Sequence, residues 1–221
     1  DHRASASFVD FKGGADFSAW QPVADGFYSG APDDDPEAML RVIDGFVAGM
    51  NERIRRLPEY RASKIDERIA SEPGMGPAVL VVDEAHEALG RTSSLPAAQR
   101  DRVTAAIKTV IARGRAVNCW VLVASQRVTD DEIPAAITQR VTVRIAYRLG
   151  TQPASQAVLG PDAWAQGYRA TECPAPGIGL LADDEGVRRL RAFYVPDQEA
   201  HRLAGLAAAR RGVNLSREPD T

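Results

Sequence analysis

Two adjacent carboxylates, Asp83 and Glu84, close the run Ala78-Val79-Leu80-Val81-Val82, and theirs are the residue types best suited to chemistry. Five apolar residues, three of them β-branched valines, suit a strand buried on both faces of a parallel sheet. Such a strand delivers its last residues to the sheet's carboxyl edge, where open α/β sheets bind ligands. An acid there can hold Mg²⁺ through the ion's water shell, and a second acid beside it can polarise a water for attack on a phosphoryl group. The pattern is that of a Walker B strand, with Asp83 in the metal role and Glu84 in the water-activating role. The competing reading is a strand-end loop with solvated acids, and the choice depends on what else reaches the same edge.

A second strand end bears on that choice. Residues 119–125 form another buried apolar run, finishing in Ser125-Gln126-Arg127. If the two strands are parallel neighbours, Ser125 and the Gln126 amide lie beside the Asp83 carboxylate. An amide placed there can hydrogen-bond a γ-phosphate or its attacking water. A loop-capping Gln126 is the plain alternative. Ser7-Phe8-Val9-Asp10 is a third strand ending in an acid, followed by Lys12-Gly13-Gly14, and it implies the same edge.

The remaining elements must hold these strands in place. Residues 21–34 carry prolines, glycines and the first two of three consecutive aspartates, and predict a loop. Asp35 followed by Pro36 starts a helix, the acid capping and the proline taking the first helical position. Met39, Ile43, Phe46/Val47, Met50, Ile54 and Leu57 then recur at helical spacing until Pro58. Arg53, Arg55 and Arg56 near its end suit the negative pole of the helix dipole. Residues 61–71 read as a polar helical piece, broken by Pro73-Gly74.

Beyond Glu87, residues 90–95 read as loop, and a helix begins at Pro96 with Val103, Ile107 and Val110/Ile111 on one face. Residues 130–139 hold a short helical stretch, and 141–147 alternate as a strand. Residues 178–181 and 187–195 flank the turn Asp183-Asp184-Glu185-Gly186 and predict an antiparallel hairpin at the sheet's edge. Residues 197–211 form a closing helix. Strands separated by helices predict a RecA-like α/β core, mostly parallel with an antiparallel edge hairpin. It is expected to span residues 1–211, with 212–221 a polar, disordered tail.

Composition bounds the class of protein. The 221 residues carry a formal net charge of -3, with 26% charged and 44% hydrophobic residues, which excludes a broad basic coat for nucleic acid. A few arginines lining a pore remain compatible with that balance. Lysine occurs only at Lys12, Lys64 and Lys108, so the positive charge is nearly all arginine. Cys119 and Cys173 fit no metal-ligand spacing and read as free thiols of a reducing compartment. No apolar run approaches the ~18 residues needed to span a bilayer. The expectation is a cytoplasmic chain that forms a piece of something longer, any membrane anchor lying elsewhere in the parent.

Taken together, Phe8-Val9-Asp10-Phe11-Lys12-Gly13-Gly14, Val79 to Glu84, Gly114-Arg115-Ala116-Val117, Val121 to Arg127 and Arg144-Ile145-Ala146-Tyr147 resemble the FtsK/SpoIIIE DNA translocase ATPases. The resemblance runs from about Ser7 to Arg211. Ser155-Gln156-Ala157-Val158-Leu159-Gly160 and Gln166-Gly167-Tyr168-Arg169-Ala170-Thr171 resemble the conjugative plasmid-transfer translocases of filamentous actinobacteria. The Asp10 to Gly14 segment is equally similar to type VII secretion ATPases.

The resemblance implies a hexameric, RecA-like ring that hydrolyses ATP with Mg²⁺ between subunits and pulls double-stranded DNA through its pore. By position, Asp83 and Glu84 match the Walker B acids and Gln126 matches the sensor glutamine. Arg115 matches the arginine that reaches into the neighbour's site, with Arg113 the nearby alternative. A guanidinium supplied in trans neutralises charge developing on the transferred phosphoryl group. The plain reading of both is a helix C-terminal arginine satisfying carbonyls. Arg144 falls in the family's Arg-Ile-Ala-aromatic pattern, with a subunit-interface role.

Departures from the family pattern are informative too. No Gly-x-x-x-x-Gly-Lys-Ser/Thr occurs, so the backbone cradle for the β- and γ-phosphates is missing, and Lys12-Gly13-Gly14 lacks the loop length to replace it. Truncation after the P-loop strand and its helix is the simplest account, and such a chain alone would not hydrolyse ATP. Gln152 and Gln156 stand where family members often carry cations against phosphates; Arg127, Arg140 and Arg148 are the substitute DNA-contacting residues.

Two other classes stay open: the ATPase domain of a type VII protein secretion motor, and a degenerate, non-catalytic interaction module. Asp83-Glu84-Ala85-His86 also spells a helicase box. Val123-Ala124-Ser125-Gln126-Arg127 departs from the helicase Ser-Ala-Thr motif, however, and too few residues follow for a second RecA-like domain. His86 then reads as incidental, and Glu87 as a solvated or capping acid.

Overall fold

Short apolar runs bounded by glycine, proline and acids build the first layer. The computed structural model describes residues 4–14, 16–129 and 131–213. Ser5–Asp10 (β1), Gly26–Ser29 (β2), Ala78–Asp83 (β3) and Cys119–Val123 (β4) form one sheet in the order β2-β1-β3-β4. Every pairing in it is parallel, with Asp10 opposite Asp83 and Val82 opposite Val123. All four carboxyl ends therefore share one edge, as expected of β1, β3 and β4.

β2 differs from the expected loop over 21–34. Its four residues, Gly26-Phe27-Tyr28-Ser29, are too few to show a strand period and are flanked by breakers. The strand exists because β1 templates it, Phe8 opposite Phe27 and Val9 opposite Tyr28.

Pro36–Arg56 (α1) starts as its sequence requires: Asp35 accepts a hydrogen bond from the Ala38 amide at 2.8 Å, and Pro36 fills the first turn. Its face of Met39, Leu40, Ile43 and Met50 is buried. Arg53 is buried as well, contrary to a surface partner for the helix dipole. Its Nη1 donates to the carbonyls of Gly76, Val117 and Asn118 at 2.7, 3.1 and 3.4 Å. The guanidinium thus ties together carbonyls of the loops feeding β3 and β4.

Three further helices complete this layer: Glu67–Ala70 (α2), His86–Leu89 (α3) and Ala97–Arg113 (α4). Val103, Ala106, Ile107 and Val110 of α4 are buried, and Met50, Ile69, Met75, Val110 and Val117 share one core cluster. β4 has β3 on one side and no strand on the other among the described residues. Trp120 and Leu122 on its face are 46% and 52% exposed.

The contacts divide the chain into two compact units, residues 1–125 with 196–221, and residues 126–195. The second unit holds Ala135–Thr138 (α5), Arg144–Ala146 (β5), Gln152–Leu159 (α6), Pro161–Ala165 (α7), Ile178–Asp183 (β6) and Gly186–Arg191 (β7). The expected hairpin is β6 and β7, turning at Asp183 and Gly186. It adds to β5 in an antiparallel sheet of its own, β5-β6-β7, and does not edge the parallel sheet. Ala146, Leu159, Ala170, Cys173 and Leu180 form that unit's core.

Asp197–Arg211 (α8) returns to the first unit and packs on the 3-10 turn Ser18–Val23. Arg211 there donates to the carbonyls of Val23 and Ala4. Most of the expected polar tail, residues 214–221, lies outside the described residues. Cys119 and Cys173 are both buried free thiols. Among the described residues no helix is long and apolar enough to cross a membrane.

Candidate active site

β3 positions the two acids. Leu80 and Val82 are fully buried, which fixes the strand's rotation and leaves Asp83 half-buried at the edge. The Phe11 amide donates to the Asp83 carbonyl at 3.3 Å, and the Ala124 amide to the Val82 carbonyl at 2.9 Å. Asp83 is thus gripped from both neighbouring strands.

The Asp83 carboxyl titrates above the usual aspartate range. Burial is the main cause, partly offset by a hydrogen bond from the Glu84 backbone, while the charges of Glu84, Asp10 and Asp16 push the same way as burial. An added cation would relieve that crowding. Lys12 supplies some positive potential at this edge. Its ammonium bonds Asp16 at 3.0 Å, and that bond leads the causes holding its proton more tightly, with Asp83 and Glu84 contributing through space.

Among the described residues no three His, Cys, Asp or Glu side chains converge into a metal-holding group. Mg²⁺ commonly keeps several waters and binds through one or two carboxylates together with substrate phosphates. Asp83 with its acidic neighbours fits that mode.

Glu84 follows in the left-handed backbone region, with φ at 48°. For a residue with a Cβ this costs about 1–2 kcal/mol, and it reverses the chain between β3 and α3. The Glu84 side chain is turned inward, 10% exposed, with Oε2 at 3.4 Å from His86 Nδ1. The same Nδ1 lies 3.1 Å from Ser125 Oγ, and His86 Nε2 lies 3.2 Å from Glu87 Oε1. His86 is therefore at the centre of the site, a correction to its reading as incidental. Glu87 is half-exposed and carries the outer partner of the ring. Sequence reasoning missed this cluster because the ring's partners lie at i−2 and i+1 and on β4's far end, a pattern with no periodic signature.

Ser125 meets the expectation of reaching this edge through the end of β4. Gln126 follows it directly and is exposed. Arg115 lies elsewhere. It is exposed in the 3-10 turn Gly114–Val117, which leads into the start of β4, at the amino edge of the sheet and across from Asp83 and Glu84. Gly114 is required there, since a Cβ would come within 2.2 Å of the Cys119 carbonyl oxygen.

In the second unit, Arg127 follows β4, Arg140 follows α5 and Arg148 follows β5, all three exposed. Arg127 pairs with Glu132 at 3.7 Å, and Arg144 donates to the Thr138 carbonyl at 3.0 Å. A further basic strand escaped the sequence reading: β7 exposes Arg188, Arg189 and Arg191. Arg188 is already occupied by both carboxylate oxygens of Asp183 at 2.8 and 2.6 Å.

A four-stranded parallel sheet with two acids at its carboxyl edge and Ser-Gln just beyond the adjacent strand has the architecture of the RecA-like α/β class. No protein-family model matches the chain. It is 28% identical over 172 residues to Protein Tra of Streptomyces lividans, a match covering 73% of this chain and 28% of that protein. It is 22% identical over 192 residues to the DNA translocase FtsK of Helicobacter pylori, covering 83% and 21% of the respective chains. The chain thus spans about a quarter of the length of these curated relatives.

In fold it matches the pCW3 conjugation coupling protein TcpA, solved in its monomer form with ATPγS, with a TM-score of 0.76 and 23% identity over 94% of this chain and 57% of that one. It also matches the cytoplasmic domain of the Thermomonospora curvata type VII secretion ATPase EccC, with a TM-score of 0.66 and 22% identity over 93% of this chain and 24% of that one. In sequence the chain is thus similar to Protein Tra and to an FtsK translocase, and it shares the fold of TcpA and EccC.

Proposed function

We propose that this chain is the Walker B part of an ATP-driven motor that moves double-stranded DNA in conjugative or other intercellular transfer. The observation that carries the reading is the shared edge: Asp83 and Glu84 end β3, and Ser125-Gln126 follow β4, its parallel neighbour. The sequence likeness to Protein Tra and to an FtsK translocase favours DNA as the cargo over protein.

In this mechanism Asp83 would hold a hydrated cation, which would supply positive charge against nucleotide phosphates, and Glu84 takes a proton from the attacking water. Ser125 helps to hold the nucleotide, and Gln126 reads the γ-phosphate. Arg115 is remote from its own chain's acids, which supports a role in trans, completing the site of the next copy in a hexameric ring. Arg127, Arg140 and Arg148 contact DNA phosphates. The free edge of β4, beside exposed Trp120 and Leu122, offers a place for a strand carrying the phosphate cradle that this sequence lacks. The motor works on the cytoplasmic side.

ATP hydrolysis by the full-length gene product, with and without duplex DNA, tests the reading beside a Glu84→Gln variant. The expected result is stimulation by DNA and a loss of about 100-fold or more in the variant. Turnover indifferent to DNA would move the assignment to protein secretion. No turnover despite an intact P-loop in the gene product would favour the non-catalytic module.

A further inference from the structure

Three features of the chain have no role in that mechanism: a cavity of about 490 Å³ between α1 and the β1–β2 edge, the arginine strand β7, and the histidine behind Glu84. The cavity is lined by Gly45 and Gly49 and by Arg53, whose Nη1 already serves three carbonyls. On β7, Arg188 is neutralised by Asp183. His86 is different, because its neighbours are the reacting groups themselves.

We propose that His86 is a positioning residue that sets the Glu84 carboxylate for proton abstraction and ties it to the sensor segment at Ser125. The inference rests on Glu84 being the water-activating acid. The His86 side chain is 10% exposed, and both of its ring nitrogens have partners. Nδ1 faces Glu84 Oε2 at 3.4 Å and Ser125 Oγ at 3.1 Å, while Nε2 faces Glu87 Oε1 at 3.2 Å. Glu84 meanwhile sits on a left-handed backbone, φ 48°.

A glutamate side chain has three rotatable bonds and, on the surface, samples many rotamers. Here the imidazole lies against one carboxylate oxygen and narrows the rotamers the side chain can sample. Ser125 immediately precedes Gln126, so a shift of the sensor segment moves the hydroxyl that shares Nδ1 with Glu84. The coupling is carried by one ring, and the position of the base then depends on what Gln126 reads. Misplacing a base by about 1 Å can cost on the order of 100-fold in rate.

The two ring nitrogens allow a discriminating test. The amide of asparagine can stand where Nδ1 stands, and the amide of glutamine reaches only the Nε2 position. In the full-length gene product, His86→Ala and His86→Gln should each lower kcat for ATP by about tenfold or more at unchanged KM, while His86→Asn should stay within about threefold of wild type. Thermal midpoints of the three variants are read alongside, and if the alanine variant does not fold, the asparagine and glutamine pair decides.

Equal losses in asparagine and glutamine, or kcat and KM falling together with the midpoint, would assign His86 a merely structural role and overturn the proposal. Wild-type turnover in His86→Gln would overturn it as well. Glu84→Gln separates the two readings. If that variant keeps its turnover, Glu84 is not the base and the proposed function fails with it. If it is inactive while every His86 variant turns over normally, only the positioning role fails.

Discussion

Asp10 and Asp83 stand opposite each other at the last paired position of β1 and β3, yet their carboxylates have different duties. Asp10 is buried and internally satisfied, accepting from the Lys12 amide at 2.9 Å and from Ser29 Oγ at 3.3 Å. It locks the β1–β2 end and the turn beyond it. Asp83 is left half-buried, crowded by other acids and available to a cation. The same residue type at the same register thus becomes a brace on one strand and a candidate ligand on the next.

Asp83 makes stability depend on pH in a defined direction. Burial, and then the neighbouring acids, hold its carboxyl proton in the folded chain to a higher pH than in the unfolded one. The stability linked to that proton is full below the ordinary aspartate value of about 3.9 and is lost as pH rises through the raised value. Asp83→Asn removes the loss. The variant should melt above wild type near pH 7, with the gap closing near pH 3, in thermal scans of the chain without nucleotide. A variant less stable than wild type at neutral pH would contradict this account of the acid cluster.

Gly114 tests the turn that presents Arg115. Its backbone is not left-handed, and the constraint is space alone: a Cβ would lie 2.2 Å from the Cys119 carbonyl oxygen and 3.3 Å from a Val110 methyl. Gly114→Ala must push β4's first residue away from α4, at a cost of about 2–3 kcal/mol. Urea midpoints give the number. A cost below about 0.5 kcal/mol would show that the turn yields freely.

Arg53 is a buried cation of the first unit. One of its nitrogens serves carbonyls from two separate loops, those ahead of β3 and of β4. Arg53→Met keeps the apolar stem but removes a donor from the Gly76 and Val117 carbonyls, while the Asn118 carbonyl keeps the Ala78 amide, and should destabilise the chain by about 3 kcal/mol in denaturant titration. Arg53→Lys should recover only part of that, because an ammonium lacks the planar reach of a guanidinium. Full stability in Arg53→Met would mean that water replaces the donor.

Much of this protein is legible in local sequence. Val79, Val81 and Val82 ahead of Asp83-Glu84 announce a buried strand that ends in acids, because β-branched runs and strand-end carboxylates are short-range features. Asp35-Pro36 and the apolar spacing of α1 specify that helix within one stretch of chain, and the same holds for α4 and for the β6–β7 hairpin. The same local features lead Asp83, Glu84 and Ser125 to strand ends that meet at one sheet edge once β3 and β4 pair.

Only the tertiary structure decided what depends on partners distant in sequence. β2 is a strand because β1 supplies its ladder, and the hairpin joins β5 because that strand offers the open edge. Arg53 is buried because two loops some 23 and 64 residues away bring their carbonyls to it. His86 meets Ser125, 39 residues on, because the chain returns beside it just beyond the neighbouring strand β4. A side chain's local pattern records its element, whereas its electrostatic partners are set by which strands pair, and that pairing is a property of the whole chain.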